Sequence, residues 1–205
     1  MQHPIYPAVS LSLDLIVKYY EMNQSISEAS EQIEQGERLF NDAMRRMYAD
    51  RNFYPDANST MRLSFGTVSG YSPFDGATYG YYTTVKGIFE KVKEHAGDID
   101  FAVQPELLSL LSSRDFGRYA NEQGDMNVCF ISNNDITGGN SGSAMFNGKG
   151  ELLGLAFDGN WEAMSSDIVF EPELQRCIGV DVRYMLFIIE KYGKAGNLIK
   201  ELKIR

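Results

Sequence analysis

The chain has 205 residues, 43% of them hydrophobic and 23% charged, with a formal net charge of −9. This is the balance of a globular protein with room for one ordinary domain and an appendage. Such a charge offers no cationic surface to DNA or RNA, and no apolar run approaches the roughly 20 residues of a membrane span, so neither is expected as a partner.

Two cysteines and two histidines, His3 and His95, leave too little for a disulfide scaffold or for a metal site built from those residues. No metal and no cofactor is expected. The opening Met1-Gln2-His3-Pro4 has no basic region followed by an apolar core, so no signal peptide is expected in these residues.

In chain order, Val9, Leu13, Ile16 and Tyr20 recur at helical spacing. The alternation Val9, Leu11, Leu13, Leu15 also fits a strand; helix is preferred. Ile26, Ala29, Ile33, Phe40, Ala43 and Met47 form one stripe of an amphipathic helix over 27–49. Ser25 and Glu28 have the form of a capping box at its start. The two segments together predict a packed helical hairpin.

Pro55-Asp56-Ala57-Asn58 is turn chemistry, after which Met61, Leu63 and Phe65 alternate with Arg62 and Ser64 as in a strand with its apolar face buried. Tyr79 to Val85 predicts a strand, Val85 to Val92 a helix ending near Gly97, and Pro105 opens another helix. Short strands are predicted at Val128–Ile131, Ser143–Phe146 and Glu151–Phe157, with Asn147-Gly148 as a tight hairpin turn. Helices over 181–192 and up to Leu202 close the chain. The expectation is a helical segment, 1–53, followed by a mostly β unit, 54–205. Cys129 and Cys177 are expected to be free and buried.

The stretch Asp135-Ile136-Thr137-Gly138-Gly139-Asn140-Ser141-Gly142-Ser143 carries the chemistry. Its glycines allow backbone angles forbidden to other residues, so successive amides can be turned toward one point. A serine between small residues just before a strand is what a chymotrypsin-type peptidase presents as its nucleophile. By the same logic the amides of Gly139 and Ser141 would form the oxyanion hole. A phosphate loop is disfavoured, since no Lys-Ser or Lys-Thr follows the glycines.

That string, with the run Phe157-Asp158-Gly159-Asn160-Trp161-Glu162 and the tail Phe170-Glu171-Pro172-Glu173-Leu174-Gln175-Arg176, resembles the chymotrypsin-like serine dipeptidyl peptidases of the dipeptidyl-peptidase 7 and 11 type. The resemblance runs from about residue 54 to the end. It implies a fold of mixed α and β: one chymotrypsin-like β-barrel with a C-terminal helix, preceded by a helical segment belonging to a cap. The activity implied is release of dipeptides from free peptide N-termini, in a periplasmic or secreted setting.

Carried over, Ser141 is the nucleophile, and Phe157, Asp158 and Gly159 contact substrate, with Asp158 holding the α-ammonium. Members that prefer acidic penultimate residues carry arginine where this chain has Gly159. The glycine leaves room, which implies a hydrophobic preference and the dipeptidyl-peptidase 7 kind. Asp135 is read as structural or as part of the pocket wall, with no cleavage after Lys or Arg.

A triad also needs a histidine and an orienting acid. His95 follows a helical run and His3 precedes Pro4, and neither suits the base. The family's histidine and aspartate lie upstream of any segment matched here. The chain is therefore expected to be the nucleophile-bearing C-terminal part of a longer peptidase, inactive alone. Its partners would be peptide substrates and the upstream part of the same peptidase, or further copies meeting through an exposed barrel face. The competing readings are a non-catalytic remnant and a V8-like glutamyl endopeptidase fragment.

Overall fold

A computed structural model describes residues 6–51, 53 and 59–204. His3 and the Pro55-Asp56-Ala57-Asn58 turn lie outside the described residues. The chain divides into two compact units, Met1–Pro55 and Asp56–Arg205.

The first unit is a single helix, α1 (Pro7–Met47), rather than a hairpin. Once nucleated, a helix gains one hydrogen bond per added residue, and the chain between residues 20 and 27 holds no proline or glycine to interrupt it. Pro7 opens it, where a missing N–H costs nothing. Ser25 therefore caps no helix: it sits inside α1 and its hydroxyl donates to the Met22 carbonyl at 2.7 Å. Ion pairs one turn apart, such as Glu34 with Arg38 at 3.1 Å, lace the polar side. Ile26, Ile33, Phe40 and Met47 are exposed.

The second unit is built on one antiparallel sheet of five strands. These are β1 (Tyr82–Thr84), β2 (Asn127–Ser132), β3 (Ala144–Phe146), β4 (Leu152–Gly159) and β5 (Cys177–Asp181), in the order β1-β2-β5-β4-β3. Among the described residues β1 and β3 are not paired. The helices are α2 (Val85–Glu94), α3 (Pro105–Ser112), α4 (Val182–Phe187), which runs on as a π-helix over Ile188–Tyr192, and α5 (Gly196–Glu201). Val85, Leu111, Phe116, Tyr119, Met126 and Phe187 form the buried core. Phe116 and Tyr119 meet the Phe187 ring edge-on at 5.8 and 6.3 Å.

Three expectations change. The hairpin between β3 and β4 turns over four residues, with Gly150 at φ +75°; Asn147 Oδ1 accepts from the amides of Lys149 and Glu151 at 2.9 and 3.0 Å. Gly150, not Gly148, takes the left-handed position. The central strand β5 is one that the sequence reading did not predict, since its buried face carries no apolar alternation: Cys177, Gly179 and Asp181 lie there. Cys129 and Cys177 are both free, but only Cys177 is buried, Cys129 being half-buried; burial pushes the Cys177 thiol up to about 11.

The third change concerns residues 61–65, which are no strand of the sheet. Their apolar members face outward: Met61 is 99% exposed, Leu63 86% and Phe65 88%. The polar members face inward. Arg62 Nη2 donates to Asn140 Oδ1 at 2.5 Å and Ser64 Oγ to the Asp135 carbonyl at 2.6 Å. The segment then continues beside β2, with Val68 opposite Ser132.

Candidate active site

The Asp135–Ser143 stretch leaves β2 and leads into β3 as two consecutive turns. The Asn140 amide donates to the Thr137 carbonyl at 3.2 Å, and the Ser143 amide to the Asn140 carbonyl at 2.9 Å. The third residue of each turn is a glycine with positive φ, Gly139 at +95° and Gly142 at +82°, the value a type II turn requires there. The sequence folds this way because a side chain at either position would strain the backbone.

These turns spend the amides of Asn140, Gly142 and Ser143 on carbonyls; the Gly142 amide reaches Ala156 at 2.7 Å. The amides of Gly139 and Ser141 donate to no acceptor among the described residues. Ser141 is exposed, and its hydroxyl likewise has no hydrogen-bond partner among the described residues.

Side chains of the stretch to which sequence reasoning gave no bonding role hold this loop. Asn140 Oδ1 accepts from the Thr137 amide at 3.1 Å as well as from Arg62. Thr137 Oγ1 donates to Asp167 at 2.9 Å. Asp135 is half-buried, and its carboxyl is raised above the usual range, first by burial and then by the nearby Asp167 charge. The asparagine within Gly-Gly-Asn-Ser-Gly was the available signal, as asparagine favours bonds to nearby backbone.

Phe157, Asp158 and Gly159 end β4. Because β3 and β4 are antiparallel, with Ala144 opposite Leu155, this end of β4 adjoins the start of β3, where Ser141 lies. The fold thus brings the two sequence-predicted groups to one end of the hairpin. Between Ala156 and Asp158 the pairing with β5 is broken by a bulge, which re-aims the strand. Phe157 is 47% exposed. Asp158 is exposed and accepts from the Gly159 amide at 2.8 Å.

Gly159 does not border open space, contrary to expectation. A Cβ there would meet the Ala163 methyl at 2.9 Å, on the short 3₁₀ helix Trp161–Ser165.

Behind this end of β4 sits a buried polar knot. Arg176, 5% exposed, donates to the carbonyls of Pro172, Gln175, Gly70 and Glu173 at 2.7 to 3.2 Å, with its guanidinium over the Tyr71 ring at 5.3 Å. Its own amide donates to Asn160 Oδ1 at 2.8 Å, while Asn160 Nδ2 reaches Glu162 and the Leu174 carbonyl at 2.8 and 2.9 Å. The Tyr71 hydroxyl donates to Glu162 at 2.8 Å.

His95 is placed elsewhere. It ends α2 and stacks on Phe101, with ring centroids 3.9 Å apart and planes 12° from parallel. No hydrogen bond joins it to Ser141 among the described residues. His3 lies outside those residues. No cluster of His, Cys, Asp and Glu among the described residues could hold a metal ion.

Comparison with known proteins gives this arrangement a context. Residues 5–204 match the family model described as Peptidase S46. The chain is 54% identical over 199 residues to dipeptidyl-peptidase 7 of Porphyromonas endodontalis, a match covering 97% of this chain and 24% of that protein. It is 38% identical over 198 residues to the Asp/Glu-specific dipeptidyl-peptidase of Porphyromonas gingivalis, covering 97% and 27%. The crystal structure of Porphyromonas endodontalis DPP11 in complex with the dipeptide Arg-Glu superposes with a TM-score of 0.84 at 36% identity, covering 95% of this chain and 28% of that one. The chain spans about a quarter of the length of the curated relatives it matches.

Proposed function

Since the chain belongs to the peptidase S46 family, we propose that it is the nucleophile-bearing part of a serine exopeptidase, and that its second unit is one barrel of a chymotrypsin-like pair. The reading rests chiefly on one observation: an exposed Ser141 in a loop whose Gly139 and Ser141 amides are left without acceptors among the described residues. Ser141 Oγ attacks the carbonyl of the second substrate residue as a histidine base, supplied by the rest of the peptidase, takes its proton. The oxyanion draws on the two amides, the base returns the proton to the leaving amine, and water then hydrolyses the acyl-enzyme.

Asp158 supplies the anion for the substrate's α-ammonium. A charge at fixed depth admits only a chain terminus, which limits the product to a dipeptide. With His95 stacked on Phe101, no histidine among the described residues meets Ser141, and the chain alone is expected to hydrolyse peptides negligibly. The setting in the periplasm or outside the cell is part of the same proposal.

The test uses a reassembled peptidase: this chain mixed with the remaining portion of the 54% identical relative. It is expected to release dipeptides from peptides with a free N-terminus and a hydrophobic second residue, and to ignore the same peptides once N-acetylated. Cleavage of the blocked peptide would instead support an endopeptidase.

The hydrophobic preference is supported by the higher identity to dipeptidyl-peptidase 7 than to the Asp/Glu-specific relative and by the lack of a cationic side chain at Gly159, not by open space there. An arginine at 159 must displace the Ala163 methyl. Gly159→Arg alone is therefore expected to lower Tm by several degrees. The pair Gly159→Arg with Ala163→Gly relieves the contact and turns the preference, read as kcat/KM, toward Glu and Asp by about tenfold or more, the range of a new charge-assisted pair. An unchanged preference in the folded double variant would remove position 159 from the specificity pocket.

A further inference from the structure

The segment 61–65 is amphipathic in the reverse of the usual sense. Its polar side chains are used against the protein: Arg62 reaches Asn140 and Ser64 reaches the Asp135 carbonyl, while the Thr67 amide donates to Asn133 Oδ1 at 2.6 Å. Met61, Leu63 and Phe65, three large apolar side chains within five residues, stand 86 to 99% exposed. Single exposed apolar residues need no explanation, but an aligned group beside a site does. The polar bonds fix which side faces in, so this apolar row cannot turn inward without giving up the grip on the nucleophile loop.

We propose that Met61, Leu63 and Phe65 form the surface on which the rest of the peptidase docks. The inference rests on the proposed function and adds the place of contact. Two observations choose this occupant over a second copy of the chain. The relatives are about four times as long as the segment they share with this chain, so most of the peptidase is available to cover the row. The row also borders the loop of Ser141, and the body that brings a base to Ser141 must rest against a surface flanking that loop. A second copy brings no such base among its described residues, where its own His95 is stacked on Phe101. Through Arg62 and Asn140 the docked body would bear on the same turns that hold the Gly139 and Ser141 amides.

The experiment compares the wild-type chain with the triple variant Met61→Gln, Leu63→Gln, Phe65→Gln. Each is titrated with the remaining portion of the 54% identical relative in an analytical ultracentrifuge and by calorimetry. The exposed positions predict an unchanged Tm for the variant alone, and its affinity for the partner is expected to fall at least a hundredfold. Wild-type affinity retained by the variant overturns this docking surface and leaves the proposed function standing. No association even with the wild type overturns the proposed function itself, and the inference with it. A wild-type homodimer that the triple variant abolishes, with partner binding unaffected, assigns the row to a second copy and overturns the inference.

Discussion

Replacing Ser141 by alanine is expected to reduce dipeptide release by the reassembled peptidase by about 10⁵-fold or more, the scale on which loss of a triad serine acts. The substitution removes one exposed oxygen with no partner among the described residues. The turns around it are held by backbone bonds and by Asn140, all of which remain. Stability should therefore stay within about 0.5 kcal/mol of the parent. The split between a large kinetic loss and an unmoved Tm identifies a reacting atom rather than a structural one. A Ser141→Ala enzyme retaining a tenth of the parental rate would show that another hydroxyl attacks.

The second large effect is on folding. Arg176→Met keeps the length of the side chain and removes its donors from four carbonyls, those of Gly70, Pro172, Glu173 and Gln175. The Gln175 bond is buried and the other three are part-buried; leaving such carbonyls without their donor is expected to cost about 2–4 kcal/mol in all. For a unit of this size that is a fall in Tm of roughly 10 °C. Arg176→Lys recovers only part of it, because an ammonium cannot reach four acceptors spread around a planar fork. Thermal unfolding of both variants measures this; a Met variant within 2 °C of the parent, on the same scale, would mean the knot is not what holds the end of β4.

That knot also explains what the sequence could and could not disclose. The runs Phe157-Asp158-Gly159-Asn160-Trp161-Glu162 and Phe170 to Arg176 are legible as marks of the family, yet nothing in their composition says that they touch. The structure joins them through Asn160, whose side chain bridges Arg176, Glu162 and Leu174. Such pairing is decided by tertiary folding, which periodicity does not encode.

The turns of residues 135–143 were readable because their glycines are a local backbone requirement, met by Gly139 and Gly142 at positive φ. Strand β5 was not, because its buried face holds Cys177, Gly179 and Asp181 instead of an apolar set. Residues 61–65 alternate as a half-buried strand does, and the alternation was read with the wrong face inward. Period alone cannot tell which face meets the protein when polar side chains have bonding partners there. The helical hairpin failed for a simpler reason: two helix-forming segments with no proline or glycine between them make one helix.

The most direct measurement is to treat the reassembled peptidase with a fluorophosphonate and map the adduct by mass spectrometry. A covalent phosphonyl group on Ser141, close to one per chain and absent when the chain is treated by itself, is the predicted result. Label on a different serine, or dipeptide release that continues while Ser141 stays unmodified, would contradict it.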